Sequence, residues 1–320
     1  MKRILIAVQH GDGLARPTLG KLAVLGRQKG TELELYCAID APVTSVSLGG
    51  SAGRRMRQQV MTRIERTVLD SLDQLAEAPA LRAVAVRTAV NWDYPAHEAI
   101  VRRALAIKAD MIVIETHHHA RAARLMLSNT DWELIRHCPL PLLLMKPIAN
   151  WQRSRNILAS IDPFHSRAKP AALDKQILRS GMKFAAQLGG KLHMLHNLVP
   201  MQQFMPVGLG QPVPLGEDGG LTERQRDRAA RALRRIAKAT GLPSSRCHLT
   251  EGDIAANITK VALANSVAVT VMGAVSRSAI RRIFVGNTAE QLFDLLQTDV
   301  LVVKPGNFVS GIREQPSPAY

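Results

Sequence analysis

Residues 4–8 read Ile-Leu-Ile-Ala-Val, a short apolar run that indicates the fold class of the chain. Five apolar residues are too few for a helix and are typical of a strand that is buried on both faces of a parallel sheet. The amphipathic stretch 14–29 follows and predicts a helix, and residues 33–39 predict a second strand. A strand, a helix and a strand in this order indicate a βαβ unit.

The same alternation continues to about residue 145. Further strands are predicted at Val84–Val86, Met111–Ile114 and Leu140–Met145, and further helices at Arg54–Glu77, Ala96–Lys108 and Asp131–His137. Strands that alternate with helices along a chain form a mostly parallel, doubly wound sheet. This half therefore predicts an α/β domain with five strands.

The pattern starts again in the second half of the chain. Asn156–Ile161 repeats the first strand, and further helices and strands follow in the same order until Val300–Val303. Two dipeptides also recur at the same offset, Asn129-Thr130 as Asn287-Thr288 and Lys146-Pro147 as Lys304-Pro305. Repetition on the scale of a whole domain predicts a tandem duplication.

The predicted domain boundaries follow from this repeat. One α/β domain covers residues 1–149 and the other covers residues 150–305, and the polar stretch 150–154 is interpreted as a linker. The tail 306–320 is rich in Gly, Ser and Pro and is predicted to be flexible.

The charge of the chain raises a question about its partners. The 320 residues include 42 Lys and Arg against 26 Asp and Glu, a net charge of +16 that suggests a polyanion. The arginine-rich segments 54–66 and 224–238 have helical periodicity, which is also typical of a solvated helix face. Aromatic residues are 4% of the chain and offer little to stack exposed bases. The sequence disfavours nucleic acid but leaves it open.

The cysteine pattern and hydropathy bear on the compartment. Cys37, Cys138 and Cys247 are isolated from one another, which indicates neither a disulfide framework nor a zinc site and favours the cytoplasm. No apolar run approaches the roughly 18 residues of a membrane span, so none is predicted.

The segment from Val271 to Glu290 carries the most specific chemistry. It begins at the end of a predicted buried strand and reaches Gly286-Asn287-Thr288 at a predicted helix start. Gly273 allows a sharp turn and a close approach of the backbone to a ligand. The free N–H groups of a helix start bind phosphate, and open α/β sheets hold ligands beyond the carboxyl ends of their strands.

The spacing in this segment resembles the ATP-binding motif of the universal stress protein family, Gly-x2-Gly-x9-Gly-(Ser/Thr). Gly273, Ser276, Gly286 and Asn287 stand at its four positions, with Ser in place of the second Gly and Asn in place of the hydroxyl residue. The sequence of residues 286–290 and the tandem arrangement of two domains resemble the two-domain E type of the family.

The resemblance implies the adenine nucleotide alpha hydrolase-like fold and a ligand such as ATP or a related nucleotide, with Mg²⁺ where the nucleotide carries it. It also implies that Asp162, directly after a strand, contacts the adenosine part. With Thr288 at the helix start, the candidate ligand-binding residues are Asp162, Gly273, Ser276, Gly286, Asn287 and Thr288.

The first half departs from the motif. Glu115, His118 and Ser128 occupy the three glycine positions, and Gln9 stands where the family has its Asp. A carboxylate at Glu115 repels phosphate. The first domain is therefore interpreted as a degenerate partner that does not bind ATP and that contributes at most to a composite site.

Neither a metal site nor a catalytic centre is predicted. His117-His118-His119 invites a metal hypothesis, but adjacent side chains diverge and a site needs three or four convergent ligands, so a polar loop is favoured. No nucleophile elbow accompanies Asp162 and His165, and no Walker motif occurs. Weak ATP hydrolysis or autophosphorylation stays open through the resemblance alone.

The leading hypothesis is a cytoplasmic stress-response protein that binds a nucleotide-like ligand in its second domain, without turnover. One alternative is an interaction protein without a ligand, in which the two domains pair through residues 142–145 and 300–303. Pairing of two chains as a homodimer stays open. Another is a basic protein associated with nucleic acid.

Overall fold

The structure is a computed structural model. It describes residues 1–9, 13–40, 50–116, 118–119, 124–125, 128–147, 151, 155–164, 172–198, 223–274, 293, 295–313 and 315. The chain divides into two compact units. The first contains Met1–Asn150 and Phe308–Tyr320, and the second contains Trp151–Asn307.

The first unit alternates strands and helices as predicted. Its strands are β1 (Arg3–Ala7), β2 (Glu32–Ile39), β3 (Ala85–Trp92), β4 (Met111–Glu115), β5 (His118–His119), β6 (Arg124–Leu125) and β7 (Leu142–Met145). Its helices are α1 (Arg16–Gly26), α2 (Gly50–Ala76), α3 (Ala96–Ala106) and α4 (Asn129–His137). Strands β7, β4, β1, β2 and β3 lie side by side in this order and are parallel, while β5 and β6 form a short antiparallel pair.

The second unit repeats this topology. Its strands are β8 (Asn156–Ser160), β9 (Leu192–Leu198), β10 (Cys247–Glu251), β11 (Val267–Gly273) and β12 (Asp299–Val303), and its helices are α5 (Ala172–Leu188), α6 (Glu223–Thr240) and α7 (Ile254–Ala264). The parallel strands follow the order β10, β9, β8, β11, β12. Among the five parallel strands of each unit, the first is central, the second and third lie on one side of it, and the fourth and fifth lie on the other. The predicted α/β class with two doubly wound sheets is confirmed.

The apolar runs form the middle of each sheet. Ile4, Leu5 and Ile6 of β1 are fully buried, and so are Ile157 and Leu158 of β8. Because helices cover both faces of a parallel sheet, consecutive residues of a central strand are buried whichever way they point. This is why these strands lack the polar and apolar alternation of a half-exposed strand.

The strand predicted at Val84–Val86 is longer in the structure. It is β3, which extends from Ala85 to Trp92 and lies at one end of the first unit's strand order. Its exposed residues, among them Arg87 and Asn91, alternate with half-buried ones. A strand in this position needs no continuous apolar run. Hydropathy alone therefore predicted a strand that ends too early in the sequence.

Two segments expected to be loosely placed make defined contacts. Trp151, in the predicted linker, is buried within the second unit. In the predicted flexible tail, Ser310 Oγ donates a hydrogen bond of 2.8 Å to the carbonyl of His137, and Arg102 Nη1 donates one of 3.1 Å to the carbonyl of Arg313. Hydrogen bonds hold this part of the tail on the first unit, which composition could not reveal.

Candidate functional site

Each unit has a crevice position fixed by its strand order. In the second unit the chain leaves β8 toward β9 on one side, while β11 lies on the other side of β8. The connections that follow β8 and β11 therefore diverge and leave an opening beyond the carboxyl ends of these strands. The same switch lies between β1 and β4 in the first unit.

Asp162 lies at the opening of the second unit, two residues after β8, and is exposed. Its Oδ1 accepts a hydrogen bond of 3.2 Å from the backbone N–H of Phe164, which closes a small turn. Its own N–H donates to Asp174 Oδ1 on α5 at 3.3 Å. The turn fixes the direction of the Asp162 carboxylate at the strand end.

Gly273 ends the neighbouring strand β11, which pairs with β8 at Val271 and Ala159. The structure therefore places Gly273 and Asp162 at the same edge of the sheet. A Cβ on Gly273 would lie 2.6 Å from Leu173 Cδ2 and 2.8 Å from Leu173 Cγ, and Leu173 is fully buried. In the described structure this glycine accommodates the packing of α5 against β11, a role that sequence reasoning did not assign.

The other candidate ligand-binding residues of the second unit are Ser276, Gly286, Asn287 and Thr288. They lie outside the described residues. Of the six candidate ligand-binding residues, the structure therefore places Asp162 and Gly273 at the same edge of the sheet.

Three further side chains lie next to Asp162. His196 on β9 lies with its Nδ1 3.2 Å from the carbonyl oxygen of Ile161, and its ring centroid is 5.6 Å from that of Phe164. The guanidinium of Arg228 on α6 lies 4.9 Å from the centre of the Phe164 ring. Sequence reasoning took Arg228 for a solvated helix residue, because its contact with Phe164 joins segments far apart in the chain.

The opening of the first unit contains a cavity of about 390 Å³. Three of the residues that depart from the motif, Gln9, Glu115 and Ser128, line this cavity as their positions predict. His118 lies on the short strand β5. Two acidic residues that sequence reasoning did not single out, Asp40 after β2 and Asp131 on α4, also line it.

The start of α4 in this cavity is occupied by the protein itself. Ser128 Oγ accepts a hydrogen bond of 3.2 Å from the N–H of Asp131, and Asp131 Oδ2 accepts one of 2.8 Å from the N–H of Ser128. This capping box satisfies two N–H groups of the helix end and places a carboxylate where phosphate would bind. Ser-x-x-Asp before a helix is a sequence signal that could have revealed it.

Glu115 adds a second carboxylate with a fixed orientation. Its Oε2 accepts a hydrogen bond of 3.0 Å from the N–H of Ala15, just before α1. Together with the capping box, this contact gives a physical reason for the predicted failure of the first unit to bind ATP.

No metal centre or membrane span is found among the described residues. No group of three His, Cys, Asp or Glu side chains there is arranged to hold a metal ion. His117, the first of the three consecutive histidines, lies outside the described residues. No helix in the described part of the chain is long and apolar enough to cross a membrane.

Comparison with known proteins matches this architecture. The chain is 26% identical to Universal stress protein E of Escherichia coli K12 over 235 residues, 72% of each protein. It is 22% identical to Universal stress protein E of Photorhabdus laumondii over 301 residues, 93% of each.

Solved structures share the fold. A universal stress protein from Archaeoglobus fulgidus superposes with a TM-score of 0.63 at 14% identity, covering 95% of this chain and 99% of that one. A protein of unknown function from Pseudomonas aeruginosa PAO1 gives a TM-score of 0.66 at 21% identity, covering 96% and 94%.

The sequence model of the universal stress protein family matches twice, at residues 1–146 and 154–304. The two matches correspond to the two units, and the E-type relatives span most of the chain, so the resemblance inferred from the motif is confirmed. The chain belongs to the universal stress protein family and has its tandem, two-domain form.

Proposed function

We propose that this protein acts in the stress response by binding ATP or another nucleotide-like ligand in the crevice of its second unit, without turning it over. Membership of the family supports the stress-response role. The observation that carries the ligand site is the position of Asp162 and Gly273 on neighbouring parallel strands at the switch between β8 and β11. Ligands of open α/β sheets bind at this place.

Charge and stacking near Asp162 favour a nucleotide over a neutral ligand. Arg228 places a cation beside Phe164, next to Asp162, and the half-buried Phe164 ring offers a surface for a base. The sequence continues from Gly273 to Gly286-Asn287-Thr288 with the spacing of a phosphate-binding loop.

Binding without catalysis is proposed because the sequence offers no clear base for an attacking water. The free thiols Cys37, Cys138 and Cys247 support a cytoplasmic location.

Calorimetric titration of the full chain with ATP and Mg²⁺ tests the proposal. We expect Asp162→Asn and Gly286→Arg to weaken ATP binding by about ten-fold or more, since Asp162 lies at the opening and Gly286 stands at a glycine position of the motif. Asp70→Asn is the matched control, because Asp70 is an exposed carboxylate on α2 of the other unit. Unchanged affinity in both crevice variants contradicts the proposed site, and steady release of phosphate contradicts a role without turnover.

A second candidate, association with a polyanion such as nucleic acid, has one observation in its favour. Helix α6 exposes a continuous basic stripe at a spacing of three and four residues, Arg224, Arg228, Arg231, Arg235 and Lys238. Phosphate contacts would make affinity fall steeply with salt. Filter binding of single- and double-stranded DNA at low and moderate salt tests this, and no retention at low salt ends the idea.

A further inference from the structure

The cavity of the first unit has the size and walls of a small-molecule site. Its volume of about 390 Å³ is within the range of ligand pockets, roughly 300–1,000 Å³. Apolar side chains, including Ile100, Ile114 and Leu134, form part of its wall. An apolar wall favours an organic ligand over a hydrated metal ion. The part of the chain that the structure describes also contains no cluster suited to a metal.

The charged side chains among the described residues of the wall are all acidic. Asp40, Glu115 and Asp131 line the cavity, and no Lys or Arg is among the described residues around it. The chain as a whole carries a net charge of +16, so an acidic cavity wall runs against its average composition. The field inside the cavity therefore favours a cation and opposes phosphate.

The carboxylates are placed on different elements around the opening. Glu115 ends β4 and Asp40 follows β2, and these two strands flank β1. The two chain positions are thus separated by about 10 Å, twice the spacing of neighbouring strands. Glu115 is held by the N–H of Ala15, whereas Asp40 is exposed at the mouth. A ligand with donor groups at both ends of a short apolar chain fits this arrangement.

We propose that the cavity of the first unit binds a small organic cation, an amine or guanidinium compound. Glu115 and Asp40 contact its charged groups, and the apolar wall packs against its carbon chain. The first unit then binds a different class of ligand from the second unit. Amine binding by the first unit does not depend on nucleotide binding by the second.

Calorimetric titration of the full chain with putrescine, spermidine and agmatine at low ionic strength tests the proposal. We expect at least one of these amines to bind with one molecule per chain, and added salt to weaken the binding. Glu115→Gln retains an oxygen that accepts from Ala15 and removes the charge, and Asp40→Asn removes the charge at the mouth. Each change is expected to weaken amine binding by about ten-fold or more.

Two control variants locate the effect. Glu133→Gln removes a partly exposed carboxylate of α4 that does not line the cavity, and Asp162→Asn changes the second unit. Both are expected to bind the amine like the original protein, and circular dichroism melting checks that all variants fold. Asp40 is exposed, so Asp40→Asn keeps the test valid if Glu115→Gln fails to fold. Absence of binding by all three amines, or binding by both cavity variants with the affinity of the original protein, overturns the proposal.

Discussion

Trp151 Nε1 donates a hydrogen bond of 2.7 Å to Oδ2 of Asp299, and both side chains are buried. Trp151 precedes the first strand of the second unit, and Asp299 is the first residue of its last strand, β12. The indole ring also packs edge-to-face on Phe184 of α5, with ring centroids 5.8 Å apart. The residue that sequence analysis assigned to a linker is therefore part of the core of the second unit.

Replacing Trp151 by Phe is expected to lower the free energy of unfolding by about 2 kcal/mol. The phenyl ring keeps most of the packing on Phe184 but removes the donor to a buried carboxylate, and hydrogen bonds to charged groups contribute about 1.5–3 kcal/mol. Urea denaturation followed by circular dichroism measures the change.

Trp92→Phe is the matched control for this prediction. Trp92 Nε1 is buried, and the described structure offers it no hydrogen-bond partner. Removing an unsatisfied donor is expected to leave stability unchanged or to raise it. Equal destabilisation by the two substitutions would mean that ring packing, and not the bond to Asp299, accounts for the effect.

Gly273→Ala is expected to destabilise the second unit by about 1–3 kcal/mol, the usual range for overpacking. The added Cβ would lie within 3.0 Å of three atoms of the Leu173 side chain, which is fully buried and has little room to move. Gly306→Ala is the control, because a Cβ there meets no described atom within 4 Å. Thermal melting compares the two variants. A neutral Gly273→Ala would show that α5 shifts freely at this contact.

The stability of the second unit is expected to fall as the pH falls from about 6.5 to about 4. His193 on β9 and His248 on β10 lie with Nδ1 and Nε2 3.1 Å apart. Burial and the neighbouring His248 lower the pKa of His193 to about 4, and burial lowers the pKa of His248. The unfolded chain, with histidine pKa values near 6.5, binds more protons in this window, so acidification favours unfolding.

Urea denaturation between pH 7.5 and pH 4.5 measures this dependence. We expect His248→Gln to reduce the slope of unfolding free energy against pH, because it removes one titrating ring and the cation that His193 would face. The same slope in this variant as in the original protein would assign the pH dependence to other groups, such as His97, whose pKa burial also lowers.

Features that depend on a local sequence pattern could be predicted, whereas contacts between distant segments could not. Central strands such as β1 could be predicted, because burial on both faces demands an apolar run. Glu115 and Ser128 could be placed at one edge of a sheet, because the carboxyl ends of parallel strands share that edge. The contact of His193 with His248 depends on the register of β9 and β10, which no local pattern specifies.

The candidate site of the second unit shows the same limit. The position of Asp162 follows from its place after a strand, as predicted from sequence. The role of Gly273 does not, because the space beside it is filled by Leu173, about 100 residues earlier in the chain. A glycine in a motif identifies a close approach but does not say whether a ligand or a side chain makes it.

Arg102→Lys is expected to lower the free energy of unfolding by about 2 kcal/mol and to loosen the tail on the first unit. Arg102 binds Asp93 through two hydrogen bonds, of 2.7 and 2.9 Å, and the charged groups are 9% exposed. Its Nη1 also donates to Glu98 and to the carbonyl of Arg313. A lysine ammonium cannot reproduce the planar, forked N–H donors of the guanidinium. It therefore leaves some of these buried acceptors without a hydrogen bond.

Hydrogen exchange of residues 308–313 and urea denaturation together measure both effects. Arg226→Lys is the control, because Arg226 makes the same two-bond contact with Glu251 in an exposed position, where an ion pair contributes little. We expect faster exchange in the tail of Arg102→Lys and no change there in Arg226→Lys. Unchanged exchange alongside lower stability would mean that Ser310 and its bond to His137 hold the tail without Arg102.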